Sequence, residues 1–451
     1  MFKKLGFHKK SLIVFGIVCL SFLLTPLMRV TTGQDKYSET NSTEFANNAS
    51  ADEKQKELSP DDADYRFKPG GERLSLRGTS AYRKFKEKEG LPQYTGFAVD
   101  VYELELGPWK RMGPGIEGAY IDLDGAGALV NAFLLEIPAG GKTIATRHLF
   151  EEQLVFLSGE GETHIWQSDP SKKAVIQWKT GTLFSPPLNT WHQHFNKGTE
   201  PARLATVTDL PLKIDLFRSA DFLFNVEYDF TDRYAGQADY FDPENSQDYA
   251  PMARSHSLSI VNLVRNVWTW RLFHAGQGYK DIDRHFLLSD NTMTGHVEQF
   301  PVGTYERAHR HGPSSTIVLL GGTGYSLMWD TKHGYTPWKN GNGEHVKKVD
   351  WHKGIMVIPP IQWFHQHFNN GADPARFIKL GGSPGHELYP MTGNVLEGGQ
   401  RYTVLFRNED PYVRTYFLNE LAKNNASIAM PPRDELIRME RESGEGPLTL
   451  P

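Results

Sequence analysis

Two stretches decide the fold, Gly303-Thr-Tyr-Glu-Arg-Ala-His309-Arg-His311 and Pro359-Pro-Ile-Gln-Trp-Phe-His365-Gln-His-Phe-Asn369. Because alternate side chains of a β-strand point to one face, the first stretch predicts that His309 and His311 lie beside Tyr305 and Arg307. An apolar run precedes the second stretch, as in a small barrel that returns a distant strand to its opening one. The neutral nitrogens of His309, His311 and His365 would together suit Fe, Mn, Zn or Cu better than Mg or Ca.

These stretches resemble the two motifs of the cupin superfamily, whose members are small jelly-roll barrels. The residues that carry the resemblance are Gly303, His309, His311, Gly354, Pro360, His365 and Asn369. The first cupin motif usually adds a Glu a few residues after its paired His, and here Ser315 or Thr316 holds that place. The resemblance therefore implies a three-His metal site without a carboxylate.

An internal repeat predicts two copies of this barrel. Residues 155–166 align with 318–329, and residues 186–196 align with 359–369. The offsets are 163 and 173 residues, so the second copy is longer by about ten, most simply within the Gly- and Asn-rich segment 331–345. Both copies consist of short apolar runs broken by Gly and Pro, which predicts an all-β chain of two tandem cupin barrels.

The flanking segments complete the predicted organisation. Helices are expected at 80–89, ended by Gly90, and at 413–423 and 433–442. The predicted divisions are a signal peptide or membrane anchor at 1–33, a disordered linker at 34–64, barrel 1 at 65–215, a connector at 216–257, barrel 2 at 258–385, and a turn-rich, helical C-terminal extension at 386–451.

The amino end and the composition restrict where the chain acts. Four lysines within the first ten residues precede an uncharged run from Ser11 to Met28, a pattern typical of an export signal or a membrane anchor. We therefore expect the barrels outside the cytoplasm, whether periplasmic, secreted or anchored. The only cysteine, Cys19, lies inside this run, so the remainder can form no internal disulfide. A net charge of -5 and the lack of a basic stripe exclude nucleic acid as an expected partner.

Carrying the first offset backwards gives a second, weaker metal site in barrel 1. His148 aligns with His311 and Glu152 with Ser315, while Thr146 replaces the first His. His148, Glu152 and His192, with His194 as a further candidate, would form a two-His, one-carboxylate set of a kind that binds iron. A barrel that has lost its metal and kept its fold is the competing interpretation.

Two further residues of barrel 2 are candidates for a catalytic role. Arg307 could hold a substrate carboxylate in bidentate fashion, or it could pair with a neighbouring Glu such as Glu306 or Glu298. His367 shares a face with His365; it could replace His365 as a ligand, or it could orient a ligand or the substrate.

The three-His motif resembles the thiol dioxygenases and, more locally, the bicupin ring-cleaving dioxygenases that act on gentisate or salicylate. That resemblance implies Fe(II), with Mn(II), Zn or Cu as alternatives, and an O₂-dependent reaction on a small aromatic or carboxylated substrate. A manganese decarboxylase or oxidase of the oxalate type is a second hypothesis, and a non-catalytic ligand-binding bicupin is a third. Terminal helices in bicupins often form dimer contacts, which implies a possible homo-oligomer.

Overall fold

The computed structural model describes residues 80–126, 129–249, 258–274, 281–310, 316–382 and 403–442. The predicted leader, the whole predicted linker, His311 and Ser315 lie outside these residues. Among the residues described, no helix combines the length and the apolar character needed to cross a membrane. The domain limits, the export of the chain and its oligomeric state remain predictions.

Strands dominate the described residues, and they divide into two groups along the chain. The earlier strands are β1 Gln93–Tyr94, β2 Ala98–Asp100, β3 Gly107–Pro108, β4 Glu117–Ile121, β5 Asn131–Ile137, β6 Glu152–Phe156, β7 Glu160–Trp166, β8 Ala174–Lys179, β9 Leu183–Phe184, β10 Trp191–Asn196 and β11 Ala202–Thr208. The later strands are β12 Gln247–Tyr249, β13 Leu258–Ile260, β14 Leu263–Val264, β15 Phe273–His274, β16 Ile282–Leu287, β17 Thr294–Phe300, β18 Thr304–Tyr305, β19 Thr316–Gly321, β20 Gly324–Trp329, β21 Lys347–Trp351, β22 Ile355–Val357, β23 Phe364–Asn369 and β24 Ala375–Gly382.

The helices lie between and outside these groups. They are α1 Ala81–Glu89, α2 Leu210–Phe217, α3 Ala220–Asn225, α4 Pro411–Lys423 and α5 Arg433–Glu442. Ser80 caps α1 by accepting a hydrogen bond from the Arg83 backbone, and Gly90 ends the helix in the left-handed conformation. The predicted helices at 80–89, 413–423 and 433–442 are therefore confirmed, whereas α2 and α3 follow barrel 1 where no helix was predicted.

Each group of strands forms a two-sheet barrel. In barrel 1 the large sheet has the order β1-β4-β5-β11-β6-β9-β14, with β3 beside β4, and it faces the small sheet β10-β7-β8. In barrel 2 the large sheet runs β12-β13-β16-β17-β24-β19-β22-β2, with β15 beside β16, and it faces the sheet β18-β23-β20-β21. The predicted all-β fold of two tandem cupin-type jelly-roll barrels is confirmed.

The repeat is visible in matching glycines at the turns that connect the two sheets of each barrel. Gly159 and Gly322 have φ of 86° and 80°, in the left-handed region that favours glycine. A Cβ at Gly159 would come within 2.4 Å of Ala202, and a Cβ at Gly322 within 2.5 Å of Ala375. Ala202 and Ala375 are also equivalent in the repeat, so both turns need glycine for the same two reasons.

Alternation along the strands gives each large sheet two buried faces. One face points into its own barrel, as with Phe133, Leu135 and Leu204 in barrel 1. The opposite face carries Leu134 and Ala205, which belong to one apolar cluster with Val297, Ile378 and other residues of barrel 2. The two barrels therefore share a core between their large sheets, which explains why these strands are apolar on both faces.

The leading segment of each half joins the other half's sheet. Strand β2, which lies between β1 and β3 of barrel 1 along the chain, pairs with β22 of barrel 2, and β14, which lies between β13 and β15 of barrel 2, pairs with β9 of barrel 1. Arg203 donates from Nη1 to the carbonyls of Val101 and Tyr102, at 2.9 and 3.0 Å. Its repeat equivalent Arg376 donates to the carbonyls of Val267 and Trp270. Hydrogen bonds from an equivalent arginine to backbone carbonyls therefore hold the exchanged segment in both halves.

Candidate metal centre

Strand β10 brings two histidines into barrel 1. Along Trp191–Asn196 buried and partly exposed residues alternate, so His192, His194 and Asn196 point inward. Asn196 donates to the carbonyls of Ile137, Pro138 and Glu200, and its side-chain oxygen accepts from the Gly198 backbone. This Asn ties the strand to the neighbouring turns and is a structural residue, like the equivalent Asn369, whose side chain donates to the carbonyls of Phe300 and Asp373.

His148 is held opposite β10 by the loop that follows β5. Thr146 forms an isolated β-bridge with His192, and the Asn189 backbone donates to the His148 carbonyl. The His148 ring stacks on Phe150, with ring centroids 3.6 Å apart, and its Nδ1 lies 2.8 Å from the Phe150 carbonyl oxygen. Both the position and the rotation of this imidazole are therefore fixed.

His148, Glu152 and His192 converge on one point inside barrel 1. Glu152 Oε1 lies 3.2 Å from Nε2 of His192 and 3.5 Å from Nε2 of His148. All three side chains are buried, and their ligand atoms lie within 4.8 Å of one another. This is the one such three-residue group found in the described ranges, and it consists of the three residues predicted for the weaker site.

The hydrogen bonding of this trio fits a bound cation. Nδ1 of His148 and Nδ1 of His192 face the carbonyls of Phe150 and Thr190, which places the hydrogen of a neutral imidazole on Nδ1 and the lone pair on Nε2. Glu152 Oε1 is buried and accepts no hydrogen bond. Two nitrogen lone pairs and a carboxylate oxygen thus meet without a proton donor, an arrangement that a divalent metal would stabilise.

The charge states agree with that interpretation. Burial lowers the pKa of His192 to about 4, so this imidazole is neutral at pH 7. Burial alone would raise the pKa of Glu152, but His148 and then His192 outweigh it and lower that pKa to about 2. A Glu152 carboxylate and a neutral His192 nitrogen at one point suit Fe, Mn, Zn or Cu.

A small cavity adjoins the trio. Its volume is about 20 Å³, and its wall is largely apolar. The residues that line it are Trp109, Arg111, Met112, Tyr120, Phe133, Leu135, Thr146, His148, Phe150, Glu152, Leu154, His192, His194, Leu204, Thr206 and Leu210. His194 is held through Nδ1 by the Thr163 hydroxyl at 2.7 Å, and burial lowers its pKa to about 3.

Barrel 2 repeats the histidine positions of barrel 1. His309 forms an isolated β-bridge with His365, as Thr146 does with His192. Nδ1 of His309 and Nδ1 of His365 each lie 3.1 Å from the carbonyl two residues earlier, and the two ring centroids are 4.2 Å apart. His367 is held by the Ser326 hydroxyl, as His194 is by Thr163. Because His311 lies outside the described residues, the predicted trio of His309, His311 and His365 remains a prediction.

A buried carboxylate lies near two of these histidines. Glu306 Oε1 is 3.6 Å from Nε2 of His367 and 3.9 Å from Nδ1 of His309. Burial, and next the charge of Glu298, raise the pKa of Glu306 well above its ordinary value. The sequence analysis looked for an acid after the paired His, at Ser315, whereas Glu306 precedes them; the acid-free ligand set remains a prediction.

Tyr305 and Arg307 do not share the inward face predicted for them. Tyr305 stacks on Phe368 outside the sheet and donates from its hydroxyl to Glu409. Arg307 Nη1 lies 3.4 Å from Glu440 of α5, a partner that the sequence did not suggest. Strand β18 ends at Tyr305, so the alternation assumed for 303–311 does not continue to the histidines. This ion pair ties Arg307 to the C-terminal extension, and its role as a substrate clamp remains a prediction.

No protein-family model matches the chain. No curated protein sequence matches it either. Among solved structures, two engineered variants of Bacillus subtilis oxalate decarboxylase align with TM-scores of 0.39 and 0.40 at 11% and 12% identity, each over 64% of this chain and 77% of the other. Values this low do not indicate what this chain binds or catalyses.

Three cavity or site residues had no sequence signal that singled them out. Tyr120 and Thr206 lie on strands outside the cupin motifs, and Glu306 was considered only as a partner for Arg307. The repeat alignment pairs Glu306 with the uncharged Thr143 of barrel 1. A comparison of charged residues between the two copies would therefore have singled out Glu306.

Proposed function

We propose that this chain is a metal-dependent bicupin oxidoreductase whose first barrel binds Fe(II) or Mn(II) through His148, Glu152 and His192. The observation that supports it is the meeting of two Nε2 atoms and the donor-free Glu152 Oε1 inside a buried cavity. Two histidines and one carboxylate leave coordination positions open, and a metal held in this way can bind a substrate and O₂ together.

Some residues of the chain would orient the metal ligands, and others would enclose the metal position. The backbone carbonyls of Phe150 and Thr190 orient the two imidazoles, which reduces the rearrangement needed when the metal binds. The apolar wall of Phe133, Leu154 and Leu204 excludes bulk water and strengthens electrostatic interactions in the cavity.

The size of the cavity argues for a small substrate at this site. An engineered cavity of about 150 Å³ holds benzene, whereas this one measures about 20 Å³. An aromatic substrate would therefore require the walls to move, and we favour a molecule of a few heavy atoms. A manganese decarboxylase or oxidase of the oxalate type is compatible with that size, although Thr146 departs from the full motif of that class.

Barrel 2 provides a second candidate centre. The close pair of His309 and His365 has the same Nδ1 anchoring as His192, and Glu306 supplies a carboxylate nearby. A three-His iron dioxygenase site at His309, His311 and His365, of the kind suggested by the gentisate-type resemblance, is proposed for this barrel. Export of the protein is proposed on the leader alone.

Metal analysis of the full chain tests the proposal. After reconstitution we expect about one equivalent of Fe or Mn to be lost in His192→Ala and in Glu152→Gln, with loss of O₂ uptake on a panel of small carbonyl and carboxylate compounds. His164→Ala is the matched control, because His164 lies on the outward face of neighbouring β7 and pairs with Glu162. His309→Ala measures how much of the bound metal and of the O₂ uptake depends on barrel 2. Less than about a tenth of an equivalent in the unaltered protein would contradict a metal-dependent function.

A further inference from the structure

Two buried hydroxyl groups in the first-barrel cavity lack an acceptor for their hydrogens. Tyr120 on β4 and Thr206 on β11 are both 0% exposed, and both line the cavity. Neither the Tyr120 hydroxyl nor Thr206 Oγ1 donates a hydrogen bond to an acceptor in the chain. Buried hydroxyls normally form hydrogen bonds. Two buried hydroxyls without an acceptor in one cavity therefore indicate that a ligand supplies the acceptor.

Strand register places both hydroxyls on the face that carries the metal residues. Tyr120 and Thr206 are each directly opposite Phe133, one from either side, so the three side chains form a row across the sheet. Glu152 is directly opposite Thr208, two residues from Thr206, and therefore lies on the same face one row away. The hydroxyls thus stand beside the metal trio on the cavity wall.

The surrounding sequence shows that this row does not need hydroxyls for packing. The row itself contains Phe133, and Leu154 and Leu204 lie beside it. Phenylalanine and valine have nearly the same shapes as tyrosine and threonine. An unsatisfied buried hydroxyl opposes folding, whereas an apolar group of the same shape does not. The corresponding row of barrel 2 holds His285, His296 and Lys379, so the two barrels present different chemistry.

We propose that Tyr120 and Thr206 donate hydrogen bonds to an oxygen-bearing ligand of a few heavy atoms that also reaches the metal position at His148, Glu152 and His192. The inference rests on the proposed function. The volume of about 20 Å³ sets the size limit.

Arg111, the cation at this cavity, does not replace the hydroxyls as the group that recognises the ligand. Its guanidinium is bound to Glu89 at 2.9 Å, so its charge is already compensated. A guanidinium can only donate hydrogen bonds, so its proximity to Tyr120 leaves the phenol hydrogen available. The two hydroxyls are therefore the donors that a ligand oxygen would meet.

The test uses the full chain loaded with Co(II) and acetate as the probe. Cobalt content is measured first, and acetate binding is then followed by the visible absorption of the bound Co(II). We expect Tyr120→Phe and Thr206→Val each to weaken acetate binding about 5- to 10-fold, with cobalt affinity unchanged, since each loses one hydrogen bond. The thermal midpoint of the metal-free variants should be equal to or higher than that of the unaltered protein.

Matched controls remove an equally buried, unpartnered hydroxyl elsewhere. Tyr234→Phe and Thr316→Val do so outside this cavity, and both should keep full acetate affinity. Acetate affinity that is unchanged in Tyr120→Phe and Thr206→Val, or equally weakened in the controls, would overturn the inference while leaving the metal site intact. Failure to bind cobalt in the first step would overturn both the proposed function and this inference.

Discussion

A single substitution distinguishes the metal-facing histidines of the two barrels. Thr146 and His309 occupy equivalent positions, because each forms the isolated bridge to the first histidine of β10 or β23. Thr146 also lines the cavity beside His148 and His192. Barrel 1 therefore carries a short side chain at a place where the fold accommodates an imidazole in barrel 2.

Thr146→His should add a nitrogen ligand to the trio in barrel 1. We expect Zn(II) or Co(II) to bind about tenfold or more tightly, because an additional ligand is supplied from a position that the fold has already fixed. Competition with a chromophoric chelator measures the change. Thr146→Val, which keeps the shape of threonine, should bind metal as the unaltered protein does. Equal affinities for Thr146→His and Thr146→Val would show that residue 146 points away from the metal position.

The residues of the candidate centre were predictable to different extents. His148, Glu152 and His192 could be found because the repeat carries one motif onto the other, even where Thr146 departs from it. The inward placement of Glu306 and the outward placement of Tyr305 could not, because alternation holds only while a strand lasts and β18 ends at Tyr305. Beyond that point the backbone geometry depends on contacts with β23 and the C-terminal extension.

At the scale of elements, the C-terminal extension covers one sheet of barrel 2. Phe406, Val413, Phe417 and Leu436 join Tyr305, Tyr325 and Phe368 in one apolar cluster on the outer face of β18-β23-β20-β21. Buried Glu409 links the two layers, since it accepts from the Tyr305 hydroxyl at 3.0 Å and from Gln366 at 3.1 Å. The corresponding sheet β10-β7-β8 of barrel 1 keeps an alternating, partly exposed outer face.

Glu409 should make the stability of this layer depend on pH. Burial raises its pKa to about 7 in the folded chain, against about 4.3 when unfolded. The stability contribution of the protonated group is therefore complete below about pH 4 and is lost as the pH rises through 7. We expect the free energy of unfolding of the unaltered protein, relative to Glu409→Gln, to fall on the order of 2–3 kcal/mol between pH 5 and pH 8.

Urea unfolding at several pH values measures that difference. Glu435→Gln is the control, because it makes the same chemical change on the exposed side of α5. Parallel pH curves for the unaltered protein and Glu409→Gln would contradict a raised pKa at Glu409.

The positions of the helices and strands were largely predictable from the sequence, whereas the pairing of the exchanged strands was not. Capping by Ser80 and Gly90 is a local property that fixes α1, and the Gly-Pro-His spacing is local to each barrel. The exchange of β2 and β14 joins segments more than 75 residues from their partners, and nothing within either short strand specifies which barrel it joins. Pairing over such distances is decided by the folded whole.

For the whole molecule, the exchange and the common core make the two barrels one structural unit. Leu134, Val155 and Ala205 of barrel 1 pack in a single cluster with Val297 and Ile378 of barrel 2. The residues that the structure describes all fall within one compact unit, 58–451. Neither barrel can lose its strands without exposing apolar surface on the other.

We therefore expect both barrels to unfold in one cooperative transition. Hydrogen exchange in urea, followed in peptides from β5 and β11 and in peptides from β17 and β24, should give the same midpoint for each set. Arg376→Ala removes bonds to the Val267 and Trp270 carbonyls in the segment around β14, and it should cost about 2–3 kcal/mol in both sets together. Arg438→Ala, on the exposed face of α5, should leave both midpoints in place. If Arg376→Ala lowered only the midpoint of barrel 2, the exchanged strands would be attachments to separate domains, because a shared core cannot lose stability on one side alone.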